Sequence, residues 1–286
     1  MSGSTATPTA VPCSRPDWRA CAATPDPSPT CTRCGLDARS SRPADGEARP
    51  RVKGMGFDEG RDETIRYHEE LYSAPDAKDP DAWLNRPAPI VMDALAHLDR
   101  SRPIRVYDLG AGSGRHAIPL ARTLPTGSRV VAVDLLDLPI QQLKERAAHE
   151  SVADVIIPVV ADQETYEFDR GEADLVVGVS TLEHVSSVEA FRGLLERMRD
   201  ATAPGGVDVL VIATDRHEVA DGETRPAQTE LDLGADEAIR IVDEVYAGWT
   251  EHRRDESGFG VTEERDGRAY ELRSVNVRRV LQRPTR

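Results

Sequence analysis

The stretch Val106-Tyr107-Asp108-Leu109-Gly110-Ala111-Gly112-Ser113-Gly114-Arg115-His116 joins an acid to three glycines at alternate positions. Such glycines let a backbone turn tightly and lie against a ligand, where a side chain would collide with it. A dinucleotide fingerprint asks for a further glycine where this chain has Arg115, and does not ask for an acid at the end of the preceding strand. Asp108 would repel a pyrophosphate but would pair with an ammonium group, so the ligand is expected to carry a cation. Asp134 lies 24 residues beyond Gly110, in position to accept both hydroxyls of a ribose. A third acid, in Val160-Ala161-Asp162-Gln163, is placed to accept a hydrogen bond from an exocyclic adenine amine. Any one of these acids would serve equally well as a helix cap. All three at successive strand ends, beside the glycine turn, form a nucleoside-binding pattern.

The elements that must position these residues alternate in type. Ile90, Val91, Ala94, Leu95 and Leu98 recur at helical spacing. The short apolar run Ile104–Leu109 then reads as a strand, with a helix over 115–124. The same unit repeats: strand Arg129–Val133, helix Pro139–Ala148, strand Val155–Val160, strand Asp174–Val179, helix Ala190–Asp200 and strand Val207–Ala213. Alternation of this kind requires right-handed crossovers and a mostly parallel sheet covered on both faces, a doubly wound α/β fold. Ligands of such sheets bind outside the carboxyl ends of the strands, where the acids lie.

Composition narrows the function classes. The 286 residues carry a net charge of −14, which opposes binding to a nucleic-acid backbone. Residues 1–53 hold eight Lys/Arg against five Asp/Glu, eight of the 20 prolines and twelve Ser/Thr, so net −17 falls on residues 54–286. The first segment has too little apolar surface to offset its ordering entropy and is expected to be a disordered leader, followed by one folded domain over 54–286. Met55 stands at its end, where a shorter product would start. All four cysteines, Cys13, Cys21, Cys31 and Cys34, fall in this leader. Only Cys31 and Cys34 have zinc-knuckle spacing, and they are expected to be unpaired thiols rather than metal ligands. Thiolate chemistry inside the folded part is thereby excluded, and no metal is expected there. No run approaches the length of a membrane span, and no signal-peptide layout opens the chain, so a cytoplasmic protein without membrane attachment is expected.

These residues resemble the class I S-adenosylmethionine-dependent methyltransferases from roughly Asp81 to the end of the chain. Asp108-Leu-Gly-Ala-Gly-Ser-Gly looks like the family's first motif, and Ala203-Pro204-Gly205-Gly206 is similar to its late Pro-Gly-Gly turn. The resemblance implies S-adenosylmethionine as cofactor. Asp108 with the backbone of Gly110, Ala111, Gly112 and Gly114 would hold the methionine part, Asp134 with Leu135 the ribose, and Asp162 with Gln163 the adenine. Ser180 would face the sulfonium. Within the family the layout is similar to the tellurite-resistance TehB type. Trp83-Leu-Asn-Arg86 resembles that group's segment with an arginine, here Arg86, near the cofactor's carboxylate. Tyr246-Ala-Gly-Trp249, leading into a C-terminal antiparallel hairpin, is similar too. The chain departs from the group at that hairpin, where Val261-Thr262 and Ala269 replace a His-Arg pair and a further Arg, which argues against an oxyanion as acceptor. Arg265 and Arg268 are read as decorating the turn at Asp266-Gly267.

Methyl transfer is an in-line displacement in which positioning and exclusion of water matter most. For a hydroxyl acceptor the candidate bases are His184, next to Glu183, and Asp215 or His217 after the fifth strand. Against these stand blander readings. Thr181-Leu-Glu-His-Val is expected to open a helix on which His184 faces solvent or caps, and His217 lies in a charged loop, 215–223. Phe57, Tyr67, Tyr72 and Trp83 suit an apolar acceptor, with a helix near 61–72 as lid or as ordinary packing. The long acidic loop 215–234 would cover the acceptor or be surface. The expected function is methylation of a small molecule, the alternatives being a non-catalytic S-adenosylmethionine-binding regulator and, less well supported, a nucleic-acid methyltransferase. The oligomeric state is not legible.

Overall fold

The computed structural model describes residues 56–75, 79, 83–265 and 267–285; the leader, its cysteines and Met55 lie outside these residues, as does the Trp83 side chain. Helix α1 (Phe57–Ser73) and a 3-10 turn (Trp83–Asn85) precede α2 (Pro89–Ala94), which tightens into a second 3-10 turn at Leu95–His97. Then follow β1 (Arg105–Leu109), α3 (Ala117–Thr123), β2 (Arg129–Asp134), α4 (Asp137–His149), β3 (Ile156–Val160), β4 (Ala173–Val179) and α5 (Val188–Ala201). The chain closes with β5 (Thr202–Ala220), β6 (Glu223–Pro226), α6 (Ala235–Val245), β7 (Thr250–Arg265) and β8 (Arg268–Gln282).

The sheet runs β3-β2-β1-β4-β5-β8-β7, with β6 paired to β5 off this path. Strands β1 to β5 are parallel to one another, whereas β8 joins β5 and β7 joins β8 antiparallel. This is the expected doubly wound sheet with a C-terminal hairpin. Side chains alternate across it with period two. Val207, Val209 and Val211 of β5 pack with Val91, Leu120 and Leu143 on one face, and Leu210 and Ile212 pack with Phe191, Leu195 and Ile241 on the other. Burial of both faces is why β1 and β4 read as continuous apolar runs. No helix among the described residues is long and apolar enough to cross a membrane.

Two local expectations are corrected. Residues 181–187 form turns rather than the start of a helix. Helix α5 begins at Val188 because the Ser187 hydroxyl accepts the Ala190 N–H at 3.1 Å. The segment expected to be a charged loop from Asp215 is largely strand: β5 continues to Ala220 and pairs with β8 as far as Val219↔Glu271. It returns as β6 through Asp221 (φ +52°) and Gly222 (φ +80°), a two-residue hairpin turn.

One buried carboxyl interrupts the apolar face under α5 and α6. Asp208 of β5 is fully buried, bonded by the Tyr246 hydroxyl at 2.8 Å and by Thr202 Oγ1 at 2.5 Å. Burial pushes its pKa up to about 7 in spite of these hydrogen bonds. A carboxyl raised in the folded state contributes stability that is present below its unfolded pKa and lost as pH rises through the folded one. Asp208→Asn, neutral throughout, is therefore expected to gain in Tm relative to the parent between pH 5 and pH 8. Parallel Tm curves for the two proteins would show an ordinary, ionised carboxylate.

Candidate active site

The carboxyl ends of β1 to β4 open into a cleft that encloses about 1130 Å³ free of protein atoms, its mouth included. Its floor is the turn after β1. Asp108 is 0 % exposed, and neither of its carboxylate oxygens has a hydrogen-bond partner among the described residues. The nearest opposite group is the imidazole of His116, with Nδ1 3.7 Å from Oδ1. Buried charges are normally paired, so this acid is built to meet a cation. The turn above it has left-handed backbone at Gly110 (φ +60°) and Gly112 (φ +54°). A β-carbon at Gly110 would sit 2.4 Å from the Thr181 hydroxyl oxygen, and one at Gly112 2.1 Å from the Tyr72 hydroxyl. The glycines therefore make room for the protein's own walls as well as for a ligand.

Along the next strands, Asp134 accepts the N–H of Gly112 at 2.8 Å and of Leu136 at 2.9 Å, one on each oxygen. Each oxygen keeps a lone pair for a further donor. Burial raises its pKa against the pull of those two bonds. Leu135, 38 % exposed, lines the cleft beside it. Asp162 accepts the Glu164 N–H at 2.9 Å and forms an ion pair with Arg61 of α1. Gln163 does not present its amide to the cleft alone: Nε2 donates to the Thr181 carbonyl at 2.5 Å, and Oε1 accepts from the Thr181 hydroxyl at 3.2 Å. That amide pins the turn after β4, where Ser180 takes a positive φ of +52° and donates its N–H to the Val211 carbonyl at 2.8 Å. Such a conformation is costly for a side-chain-bearing residue, and it sets Ser180 in the wall of the cleft.

The structure gathers Gly110, Ala111, Asp134, Leu135, Asp162, Gln163, Ser180 and His184 around the cleft, with Asp108 beneath. Gly112 and Gly114 shape the turn without lining it. The lining arginine near the floor is Arg115, held by its Nε donating to the Arg86 carbonyl at 2.8 Å; Arg86 is not among the lining residues. Asp215 and His217 do not line the cleft either. Asp215 sits at a break in the β5–β8 register (φ +49°) and accepts the Ala235 N–H at the start of α6, at 3.2 Å. His217 pairs with Arg273 in the sheet, its Nδ1 2.9 Å from the Asp215 carbonyl.

Helix α1 closes the cleft from above, bringing Tyr67 and Tyr72 of the aromatic set together with residues that the sequence pattern does not mark. Arg61, Thr64, Ile65, His68, Leu71 and Tyr72 follow the three-and-four spacing of one helix face, a pattern that the aromatic residues taken alone conceal. Gly60 lets this helix press on backbone, since a β-carbon there would lie 2.6 Å from the Thr229 carbonyl and 2.8 Å from the Glu230 nitrogen. Glu230 is the other newcomer. Its Oε2 lies 3.0 Å from His184 Nδ1, and although burial would raise its carboxyl, the hydrogen bond and charge of His184, with Arg216, carry it down to about 2. The His68 and His184 rings meet edge-on at 6.0 Å between centroids. Burial first, then the neighbouring His184, lowers His68 to about 4, so it is neutral near pH 7. Arg265 does more than decorate its turn: it bonds Glu63 of α1 at 2.8 Å and Glu218 of β5 at 3.0 Å, and stacks over Tyr270, while Arg268 stays exposed. Among the described residues no group of three or more His, Cys, Asp or Glu side chains is arranged to hold a metal ion.

Comparison with known proteins agrees with this geometry. A family model described as a methyltransferase domain matches residues 106–206, from β1 through the Pro-Gly-Gly turn. Over this segment the chain is similar to a methyltransferase domain. A curated relative, Methyltransferase str2 of Strobilurus tenacellus, is 27 % identical over 126 residues, 44 % of this chain, and the match spans only 42 % of that protein's length. TehB from Haemophilus influenzae superposes with a TM-score of 0.56 at 18 % identity, over 76 % of this chain and 67 % of that one. The 1,6-didemethyltoxoflavin-N1-methyltransferase of Burkholderia thailandensis gives 0.51 at 18 % identity, over 78 % and 87 %. The two structural likenesses establish a shared fold.

Proposed function

We propose that the protein transfers a methyl group from S-adenosylmethionine to a small-molecule acceptor. The observation that carries this is the buried, unpartnered Asp108 carboxylate beneath the glycine turn, with Asp134 one strand away. A cofactor with an α-ammonium at one end and a ribose in the middle fits that pair of acids. When bound, S-adenosylmethionine supplies a methyl group on a sulfonium, which leaves as a neutral thioether. Asp108 takes the ammonium, and Arg115, lining the cleft nearby, takes the adjoining carboxylate in place of Arg86. Asp134 accepts the ribose hydroxyls on the lone pairs its backbone donors leave open. Asp162 receives the adenine amine on the side away from Arg61, Gln163 fixes the neighbouring turn, and Ser180 borders the reacting centre. The B. thailandensis enzyme, described with bound 1,6-didemethyltoxoflavin and S-adenosylhomocysteine, supports the choice of cofactor and a small molecule as the class of acceptor.

Closure of α1 over the cleft excludes water from the displacement. The Ile65, Leu71 and Leu84 side chains on that side favour an acceptor with an apolar body. Net −17 over residues 54–286 disfavours a nucleic-acid substrate. Calorimetric titration with S-adenosylmethionine, S-adenosylhomocysteine and NAD tests the reading: the first two are expected to bind and NAD is not. Binding of NAD alone would overturn it.

A further inference from the structure

Independently of the methyl-transfer reading, we propose that the outer edge of β7 is the contact surface for a second copy of this chain, paired antiparallel about a two-fold axis at Gly258. Among the described residues the sheet path ends at β7, a strand of 16 residues none of which is buried. Such an edge carries a row of main-chain donors and acceptors with no neighbour on one side, and proteins protect it by short length, proline, charge or a bulge. The opposite edge, β3, is 5 residues long and has Pro158 in its middle. Strand β7 has neither protection, and its one irregularity is the bulge between Glu251 and Arg253. From Arg253 to Arg265 it pairs with β8 without a break, so its free side is a regular template for a further strand. The centre of that stretch, Ser257-Gly258-Phe259-Gly260-Val261, holds no charge, and Phe259 is 50 % exposed.

Charge selects the register. A two-fold axis through an antiparallel pair sets one residue opposite its own copy, and residues equally far on either side of it then face each other. With Gly258 on the axis, Arg253 faces Glu263 of the second copy, Asp255 faces Val261, and no like charges meet. With Phe259 on the axis, Arg253 would oppose Arg265 and Asp255 would oppose Glu263. With Gly260 there, Glu256 would oppose Glu264, and with Glu256 there that residue would oppose itself. With Ser257 there, no charged residues of the unbroken stretch oppose at all. Like charges directly opposite destabilise a strand pair and opposite charges stabilise it, so the Gly258 register is favoured. In that register Phe259 lies opposite Ser257 and diagonal to its own copy, within reach for the two rings to cover each other. Gly258, having no side chain, leaves nothing to collide at the axis.

The contacts within the chain leave these groups able to serve the second copy. Arg253 donates through Nε to Asp255 at 2.6 Å and is 37 % exposed, so the rest of its guanidinium is available to Glu263. Glu263 accepts the Tyr270 hydroxyl on Oε2 at 2.6 Å and keeps further lone pairs. A ladder over residues 253–263 would exchange about ten main-chain hydrogen bonds, the number that a typical protein interface carries. It stops short of Arg265, whose ion pairs with Glu63 and Glu218 stay within the chain. A foreign extended peptide would gain the main-chain bonds alone, whereas a second copy brings the matching charge and the matching ring.

Sedimentation velocity of the full chain over a dilution series is expected to show twice the 31.3 kDa mass of one chain at the concentrated end and a single chain at the dilute end. The amides of residues 257–261 are expected to lose protection from hydrogen exchange in step with dilution. Arg253→Glu and Glu263→Arg are each expected to weaken self-association about tenfold or more, because each sets like charges opposite on both sides of the axis. Mixed in equal amounts, the two variants are expected to pair as well as wild type, since the mixed dimer has opposite charges at both positions. Phe259→Lys alters an exposed side chain and is expected to be a monomer with the parent's Tm, which keeps the test independent of how the charge variants fold. A wild-type protein that stays a single chain at every concentration would overturn the inference. So would a dimer that survives Phe259→Lys, or charge variants of parental Tm that associate no better mixed than alone. Protection of 257–261 that ignores concentration would overturn it as well, by showing that the edge is covered from within the chain.

Discussion

Asp108→Asn is expected to move two measurements in opposite directions, raising the Tm of the ligand-free protein while weakening S-adenosylmethionine binding by about 1–3 kcal/mol, roughly five- to 150-fold. The two effects share one cause. The carboxylate is 0 % exposed and its oxygens find no partner among the described residues, so in the free protein it is a desolvated charge that folding must tolerate. The near-isosteric amide removes that penalty and with it the charge that would pair with the ligand's ammonium. A structural role for Asp108, satisfied by His116 at 3.7 Å, makes the contrary forecast: loss of Tm with unchanged affinity. Calorimetry and thermal unfolding on the same preparation separate the two.

Gly60→Ala is expected to cripple the cleft without unfolding the sheet. Two effects of opposite sign compete. Alanine in place of glycine favours a helix interior by about 1 kcal/mol. The added β-carbon, however, would stand 2.6 Å from the Thr229 carbonyl carbon and oxygen, and backbone cannot rotate aside as a side chain does. Overpacking of this kind costs about 1–3 kcal/mol or more, so repulsion wins and α1 must lift. Arg61, His68 and Tyr72 lift with it, away from Asp162, His184 and Gly112. Hydrogen exchange should show faster exchange over 57–73 with β1 to β5 unchanged, together with at least a tenfold weaker hold on S-adenosylhomocysteine. Wild-type exchange and affinity would mean that the helix has room the geometry denies it.

The parallel core was legible because its physics is periodic. Strands buried on both faces leave runs such as Leu175-Val176-Val177, and glycine or acid punctuation marks where each ends. The acids at strand ends were legible for the same reason, since topology alone delivers Asp108, Asp134 and Asp162 to one edge. The failures occurred where that periodicity lapses. Residues 215–220 of β5 are all half-buried and mostly charged or polar, so no alternation distinguishes them from a loop, although Asp221-Gly222 carried the hairpin signal. His68, Arg61 and Glu230 belong to segments outside the repeating frame. Their arrival at the cleft depends on how α1 docks, which local sequence does not encode. Gly60, a glycine inside a helix, was the trace of that docking.

The clamp at Arg265 bears on how such a cover moves. Its guanidinium holds Glu63 of α1 and Glu218 of β5 together, and both carboxylates are partly solvated, at 18 % and 15 % side-chain exposure. Were α1 to move outward, the pair with Glu63 would part, while the cation would keep Glu218 and the ring of Tyr270 and Glu63 would keep Arg66. Neither charge would be left without a partner, so the cost of such an opening would be one partly solvated ion pair. The hairpin tip would then serve as a fixed post against which the helix closes.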